Sequence, residues 1–309
     1  GCSPKALEAY LKTGADLHRY PDGMAADLRA ALAHEYKMDA ERIVCGAGSE
    51  ELITLLTRAY AGAGDEVVYS AYGFLLYKTC ATAAGATPVA APEIDLRSDV
   101  GALLKAVTPK TKIMFLANPG NPTGSYLTGA ELREICSKLP NHVLLVIDSA
   151  YAEFVDAKDY DDGRALVDQY PNVVMLRTFS KIHGLAALRL GWGYFSPEVA
   201  GVMNRIRGPF NVNAPAQAAG IAALDDKDFM QKSAAQAKEG RDFLAGQLRH
   251  LGLKVYPSVT NFLLVEFGGD AEAVRLALKD KGIFVRQMGA YNLPQCLRIS
   301  IGTAEDNAF

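Results

Sequence analysis

A lysine, two hydroxyls and an arginine stand close together at Arg177-Thr178-Phe179-Ser180-Lys181, followed by Gly184, Leu185 and a further arginine, Arg189. The apolar run Val173-Val174-Met175-Leu176 ahead of them reads as a buried strand, so the lysine is delivered at a strand end. An amine there can form a Schiff base with a carbonyl, and hydroxyls with an arginine beside it can hold a phosphate. The two properties together point to pyridoxal phosphate. The same pentapeptide also fits a surface lysine that closes a strand, so the rest of the chain has to decide.

That cofactor needs a carboxylate to keep its pyridine nitrogen protonated, donors for its phenolic oxygen and a cradle for its phosphate. Asp148 ends the apolar run Val143-Leu144-Leu145-Val146-Ile147. A carboxylate so placed is poorly solvated and calls for a cationic partner, either a protonated ring nitrogen or an arginine. The loop Asn118-Pro119-Gly120-Asn121-Pro122-Thr123-Gly124 follows the strand-like 113–117 and can aim an amide at a ligand, although it also reads as an elaborate turn. Tyr151 could bring a phenol to the same oxygen. Gly46-Ala47-Gly48-Ser49-Glu50 joins a strand to a helix, where free N–H groups make an anion site. It is not a dinucleotide fingerprint, because Glu51 stands in place of the third glycine, and it lacks the lysine of a P-loop. An ordinary helix capped by Ser49 is compatible with the same residues.

The elements that position these groups alternate. Strands are expected at 43–45, 66–69, 87–90, 112–117, 143–148 and 173–178, with helices at 49–60, 74–84, 99–107 and 129–138 between them. Residues 192–195 read as an antiparallel or edge strand. This rhythm predicts an α/β domain with a mainly parallel, two-sided sheet, in which ligands collect at the carboxyl ends of strands. Helices are expected at 3–12, capped by Ser3 with Pro4 in the first turn, and at 25–36. After about residue 207 the texture becomes α+β: a helix-rich stretch at 214–250, a helix at 271–281, and strands near 253–256, 262–267, 283–286 and 297–301. The expected division is a large domain over 38–206 and a small discontinuous α+β domain from 1–37 and 207–309.

Of the 309 residues, 50% are hydrophobic and 22% charged, which suits a large core and excludes bulk disorder. A net charge of −3 gives no reason to expect nucleic acid or a membrane surface as partner. No apolar run approaches the roughly 20 residues of a membrane span. The five cysteines, Cys2, Cys45, Cys80, Cys136 and Cys296, form no C-x-x-C pair, so neither a zinc site nor a disulfide framework is expected, and a reducing cytoplasm fits. The sequence opens at Gly1 without an initiator Met, so a preceding segment is expected.

Taken in order, Tyr20-Pro21-Asp22, Gly48-Ser49-Glu50, Asn121-Pro122-Thr123-Gly124, Asp148-x-x-Tyr151, Arg177 to Lys181, and Gly184-Leu185 with Arg189-Leu190-Gly191 resemble the fold-type I pyridoxal-phosphate aminotransferases, most closely the histidinol-phosphate branch. Pro209 to Asn213 and Leu297 to Thr303 belong to the same resemblance, which spans nearly the whole chain. It implies that Lys181 carries the cofactor and moves a proton, that Asp148 pairs with the pyridine nitrogen, and that Asn121 and Tyr151 hold the phenolic oxygen. It implies a phosphate cradle of Gly48, Ser49, the Glu50 backbone, Thr178, Ser180 and Arg189. Phe74, in Tyr72-Gly73-Phe74-x-x-Tyr77, would stack on the ring, and also fits a core aromatic on a helix face. Tyr20 would reach the phosphate of a neighbouring subunit in a homodimer. Arg298, with Arg286, would bind an anionic group of the substrate; both also fit plain surface charges. No metal is implied.

The implied reaction exchanges an amino group between L-histidinol phosphate and 2-oxoglutarate, in histidine biosynthesis. An aromatic amino acid donor, or decarboxylation of threonine phosphate, are the alternatives. Ser149 departs from the usual glutamate between the aspartate and tyrosine, and His183 is expected to be structural.

Overall fold

The structure is a computed structural model describing residues 1–309. Its strands, in chain order, are β1 (Ile43–Gly46), β2 (Glu66–Ser70), β3 (Thr87–Ala91), the short pair β4 (Glu93–Ile94) and β5 (Arg97–Ser98), β6 (Thr111–Ala117), β7 (Leu144–Asp148), β8 (Val173–Thr178), β9 (Gly191–Tyr194), β10 (Lys254–Val255), β11 (Phe262–Glu266), β12 (Arg286–Gln287) and β13 (Cys296–Ser300). Seven of them form one sheet in the order β1-β9-β8-β7-β6-β2-β3. Only β9 runs against its neighbours, β8 and β1. The remaining pairs are parallel.

The central strands are apolar at nearly every position because both faces are covered. In β7, Leu145 and Ile147 enter one buried cluster, while Leu144 and Val146 enter the other. β8 splits the same way, with Val173 and Met175 on one face and Val174 and Leu176 on the other. The alternation is that of a strand, and the helices supply both covers. Their starts are fixed locally. Ser3 Oγ accepts from Ala6 N at 3.1 Å ahead of Pro4, and Thr128 with Glu131 closes a capping box at the helix Gly129–Lys138. The helix-rich stretch after 213 is two helices, Ala214–Leu224 and Lys227–His250, divided at Asp226, whose carboxylate caps the second and also accepts from Ser3 Oγ.

A second sheet, β10-β11-β13-β12, is antiparallel throughout. The large sheet lies within 38–206 and this one within 207–309. Residues 1–37 pack on the helix Ala214–Leu224, and the cluster they share with it reaches the large sheet as well. Ala6, Leu28 and Leu32, with Ala216 and Ala219 of Ala214–Leu224, share the buried cluster that also holds Met175 and Trp192. The N-terminal helices thus lie on the alanine-rich helix Ala214–Leu224, whose small side chains let them pack closely. β9 is antiparallel, as one of its two readings has it, but it is not an edge strand: β1 covers its other side. The β4–β5 pair and the helices Arg164–Gln169 and Ala304–Ala308 are not foreshadowed in the sequence pattern. No helix is long and apolar enough to cross a membrane.

Candidate active site

The carboxyl ends of three adjacent parallel strands define the site. Register pairs Ala117 of β6 with Asp148 of β7, and Asp148 with Leu176 of β8, so Asn121, Asp148 and Lys181 all emerge at one edge of the sheet. They line a cavity of about 240 Å³ together with Ser49, Glu50, Phe74, Tyr151, Thr178, Ser180, Arg189, Arg286 and Arg298. Of the residues expected at the site, Gly48 and Tyr20 alone are not on its wall. Gly48 lies directly behind: a Cβ on it would come within 2.6 Å of Arg189 Nη2, and its φ of +86° needs glycine. Tyr20 is 82% exposed and stacks on Phe210 with ring centroids 4.7 Å apart.

Asp148 is buried, and its Oδ2 accepts the Tyr77 hydroxyl at 2.8 Å. Its Oδ1 is buried with no partner. Burial raises the carboxyl above the usual range, while the Tyr77 hydrogen bond, the nearby Ala150 backbone N–H and the Lys181 charge oppose the rise. The arginine reading of Asp148 fails, since Arg177 is committed elsewhere. It pairs with Glu153 at 2.6 Å and with Asp162, and it lies over the Tyr36 ring.

Lys181 Nζ is 5.2 Å from the centroid of the Tyr151 ring. Burial, then the neighbouring Arg298 charge, lower its pKa, against the pull of Asp148 and Glu50. The amine therefore sheds its proton at lower pH than an exposed lysine, which is the form that attacks a carbonyl. Tyr151 packs edge-on against Phe262 at 5.3 Å, and burial pushes its phenol up to about 12. His183 is buried against Phe179, with ring centroids at 4.7 Å.

The anion end is built from the start of the helix Ser49–Tyr60. Gly48, not Ser49, holds the cap position, so Ser49 opens the helix with its hydroxyl free of capping. Arg189 adopts φ +55° and is held by Ala186 O at 2.9 Å and Glu50 at 3.0 Å. Thr178 Oγ1 donates to Ser180 Oγ at 3.0 Å and accepts from Ser180 N at 3.2 Å. Helix N–H groups, hydroxyls and a guanidinium thus converge on one corner. Gly191 makes this possible: a Cβ there would collide with Ser49 N. Gly191→Ala is expected to destabilise the protein by about 1–3 kcal/mol through overpacking, read as a lower midpoint of chemical unfolding. An unchanged midpoint would mean that the Ser49 turn yields freely.

Across the cavity, Arg298 donates to Asn121 Oδ1 and lies 4.9 Å over the Phe262 ring, with its Nε buried and unpartnered. Arg286 stands opposite Arg298 on β12 and is exposed. One residue on the wall and one behind it escape sequence reasoning. Tyr291, on the wall, comes from a short turn after β12 that no periodicity announces. Tyr77, behind the wall, belongs to the Phe74 motif without an evident task there; its spacing of three from Phe74 across a helix start is the one signal the sequence offers.

Sheet order, strand-end site and half-buried lysine together define a fold-type I enzyme. The chain belongs to the aminotransferase class I and II family, whose model matches residues 2–308. A histidinol-phosphate aminotransferase of Rhodospirillum centenum is 54% identical over 305 residues, 98% of this chain and 84% of that protein. One of Paramagnetospirillum magneticum is 55% identical over 311 residues, 99% of this chain and 86% of that protein. The solved structure of histidinol-phosphate aminotransferase from Sinorhizobium meliloti, in complex with pyridoxal-5'-phosphate, superposes with a TM-score of 0.94 at 32% identity, covering 100% of this chain and 85% of that one. Thermus thermophilus aspartate aminotransferase with maleate shares the fold, with a TM-score of 0.88 at 21% identity over 99% of this chain and 85% of that one.

Proposed function

We propose that this aminotransferase takes pyridoxal phosphate as cofactor and exchanges the amino group of L-histidinol phosphate with 2-oxoglutarate. The observation that carries the cofactor is the buried, unpartnered Oδ1 of Asp148 in a cavity that also holds the Lys181 amine and the Arg189 corner. A lone buried carboxylate oxygen is costly unless a proton donor meets it, and a pyridinium N–H is such a donor. The donor set therefore fits the group. When bound, the group supplies an electron sink that stabilises negative charge at the substrate carbon.

The chain's own residues do the rest. Lys181 Nζ would hold the cofactor's carbonyl carbon and would serve as the base for the proton of the substrate's amino-bearing carbon, a task suited to an amine with a lowered pKa. Asp148 accepts from the ring nitrogen. Asn121 and Tyr151 would hold the phenolic oxygen, and Phe74 would stack on the ring. Ser49, the Glu50 N–H, Thr178, Ser180 and Arg189 hold the phosphate. Arg298, aided by Arg286, binds the anionic end of the donor. Tyr20, exposed beside Phe210, is available to a second copy of the chain, in keeping with a homodimer. Five free thiols agree with a cytoplasmic setting.

The histidinol-phosphate reading rests on the names of relatives more than half identical and on the two arginines. Its test is a half-reaction of loaded enzyme with histidinol phosphate, phenylalanine, glutamate and threonine phosphate in turn, followed by loss of the cofactor's visible band. Fast conversion by histidinol phosphate with phenylalanine slow is expected. Phenylalanine fast with histidinol phosphate inert would make it an aromatic aminotransferase, and carbon dioxide from threonine phosphate a decarboxylase. Arg298→Gln should raise KM for histidinol phosphate about 10- to 100-fold, the loss of a charge-assisted bond. An unchanged KM would remove Arg298 from substrate binding.

A further inference from the structure

The two oxygens of Asp148 have different surroundings. Oδ2 accepts the Tyr77 hydroxyl at 2.8 Å, whereas Oδ1 has no partner. Tyr77 is fully buried, and its ring lies flat on Phe115, with centroids 4.7 Å apart and planes within 3°. Packing thus fixes the direction of its hydroxyl. Phe74 caps the helix Leu75–Ala83 that contains Tyr77, and the two rings meet edge to face at 5.9 Å. Residues three apart lie on one side of a helical turn, so a single turn offers one ring to the cavity and one hydroxyl to the carboxylate.

We propose that Tyr77 is a positioning residue for Asp148: by occupying Oδ2 it turns Oδ1 toward the cavity and holds the carboxylate as an acceptor for the cofactor's ring proton. This rests on the assignment of Asp148 to the ring nitrogen. Burial and the adjacent Asp148 charge raise the phenol well above its ordinary range, so Tyr77 keeps its proton and donates it to the bond. The other ionisable groups acting on the pair are Lys181, which favours the carboxylate, and Glu50, which opposes it, with Tyr151 and Tyr291 near the phenol. Without Tyr77's bond, burial acts on Asp148 with less to oppose it, so its carboxyl stays protonated to higher pH and is freer to rotate.

The test compares Tyr77→Phe, Asp148→Asn and unaltered protein. Phenylalanine keeps the ring against Phe115, and thermal unfolding checks that the fold survives. Three quantities are read: affinity of cofactor-free protein for pyridoxal phosphate, the half-reaction rate with histidinol phosphate or whichever donor is active, and the pH profile of that rate. For Tyr77→Phe the expectation is weaker cofactor binding and a rate about 10- to 100-fold lower, the worth of a hydrogen bond to a charged group. Its acid limb should move to higher pH, with the donor's KM within about twofold. Unaltered affinity, rate and pH profile in Tyr77→Phe, with Asp148→Asn impaired, would overturn the proposal and leave the Asp148 assignment standing. An equal loss at every pH would also overturn it, marking Tyr77 as packing only. If Asp148→Asn itself behaves as the unaltered protein, the underlying site assignment fails.

Discussion

Replacing Lys181 with alanine lowers the half-reaction rate by at least about 10⁴-fold, the upper range for a positioned proton-transfer group, with the covalent hold on the cofactor lost as well. Lys181 is the sole lysine on the cavity wall, so no second amine can take over. Its surroundings also prepare it. Burial and Arg298 disfavour the ammonium, while Asp148 and Glu50 keep that effect within bounds. Because Lys181 follows β8 and makes no side-chain hydrogen bond with the rest of the protein, the variant should fold normally. The measurement is single-turnover conversion of the donor, beside an unfolding curve. A folded variant working within tenfold of the unaltered enzyme would sink the role of Lys181.

Asp148→Asn is expected to cost about 10²–10³ in the same rate, the penalty for removing one member of a buried ion pair. Asparagine keeps the shape and an oxygen for Tyr77, so the loss reports charge, not packing. The same substitution should act oppositely on the protein without cofactor. The folded carboxyl titrates above its unfolded value, so its stabilising contribution is full below the unfolded pKa and is lost as pH rises through the folded one. Above the folded pKa the buried anion is therefore a liability until a cofactor meets it, and the neutral amide relieves it. A higher unfolding midpoint for cofactor-free Asp148→Asn, together with a slower loaded enzyme, is the expected pair of results. A lower midpoint would contradict the electrostatic account of this carboxylate.

Sequence legibility follows local order. Buried strands announce themselves as apolar runs, and each of β6, β7 and β8 leads into the polar residues that matter, so Asn121, Asp148 and Lys181 stand out in the amino-acid sequence alone. The cap at Ser3 has the same local origin. What stays hidden depends on partners distant in sequence. β9 reads as an edge because nothing near it announces β1, which lies more than a hundred residues earlier yet pairs with it residue for residue. The packing of residues 1–37 is hidden for the same reason: the alanine-rich face they lie on belongs to Ala214–Leu224, far along the chain. Tyr77 is visible as a letter, but its meeting with Asp148 depends on the fold bringing a helix start under a strand end. The short β4 and β5 carry too few residues for a period to show.

The cross-strand neighbours Arg286 and Arg298 have one more consequence. Like charges set directly opposite on adjacent strands repel, and Arg286 indeed disfavours the charged form of Arg298. The small sheet's last pairing is thus electrically incomplete on its own. A dianionic ligand between the two guanidiniums would turn that repulsion into a three-body bridge, making the ligand a structural member of the sheet for as long as it stays. Recognition and local rigidity would then be one event, and an uncharged donor, even of the right shape, would leave the edge of the sheet as slack as it found it.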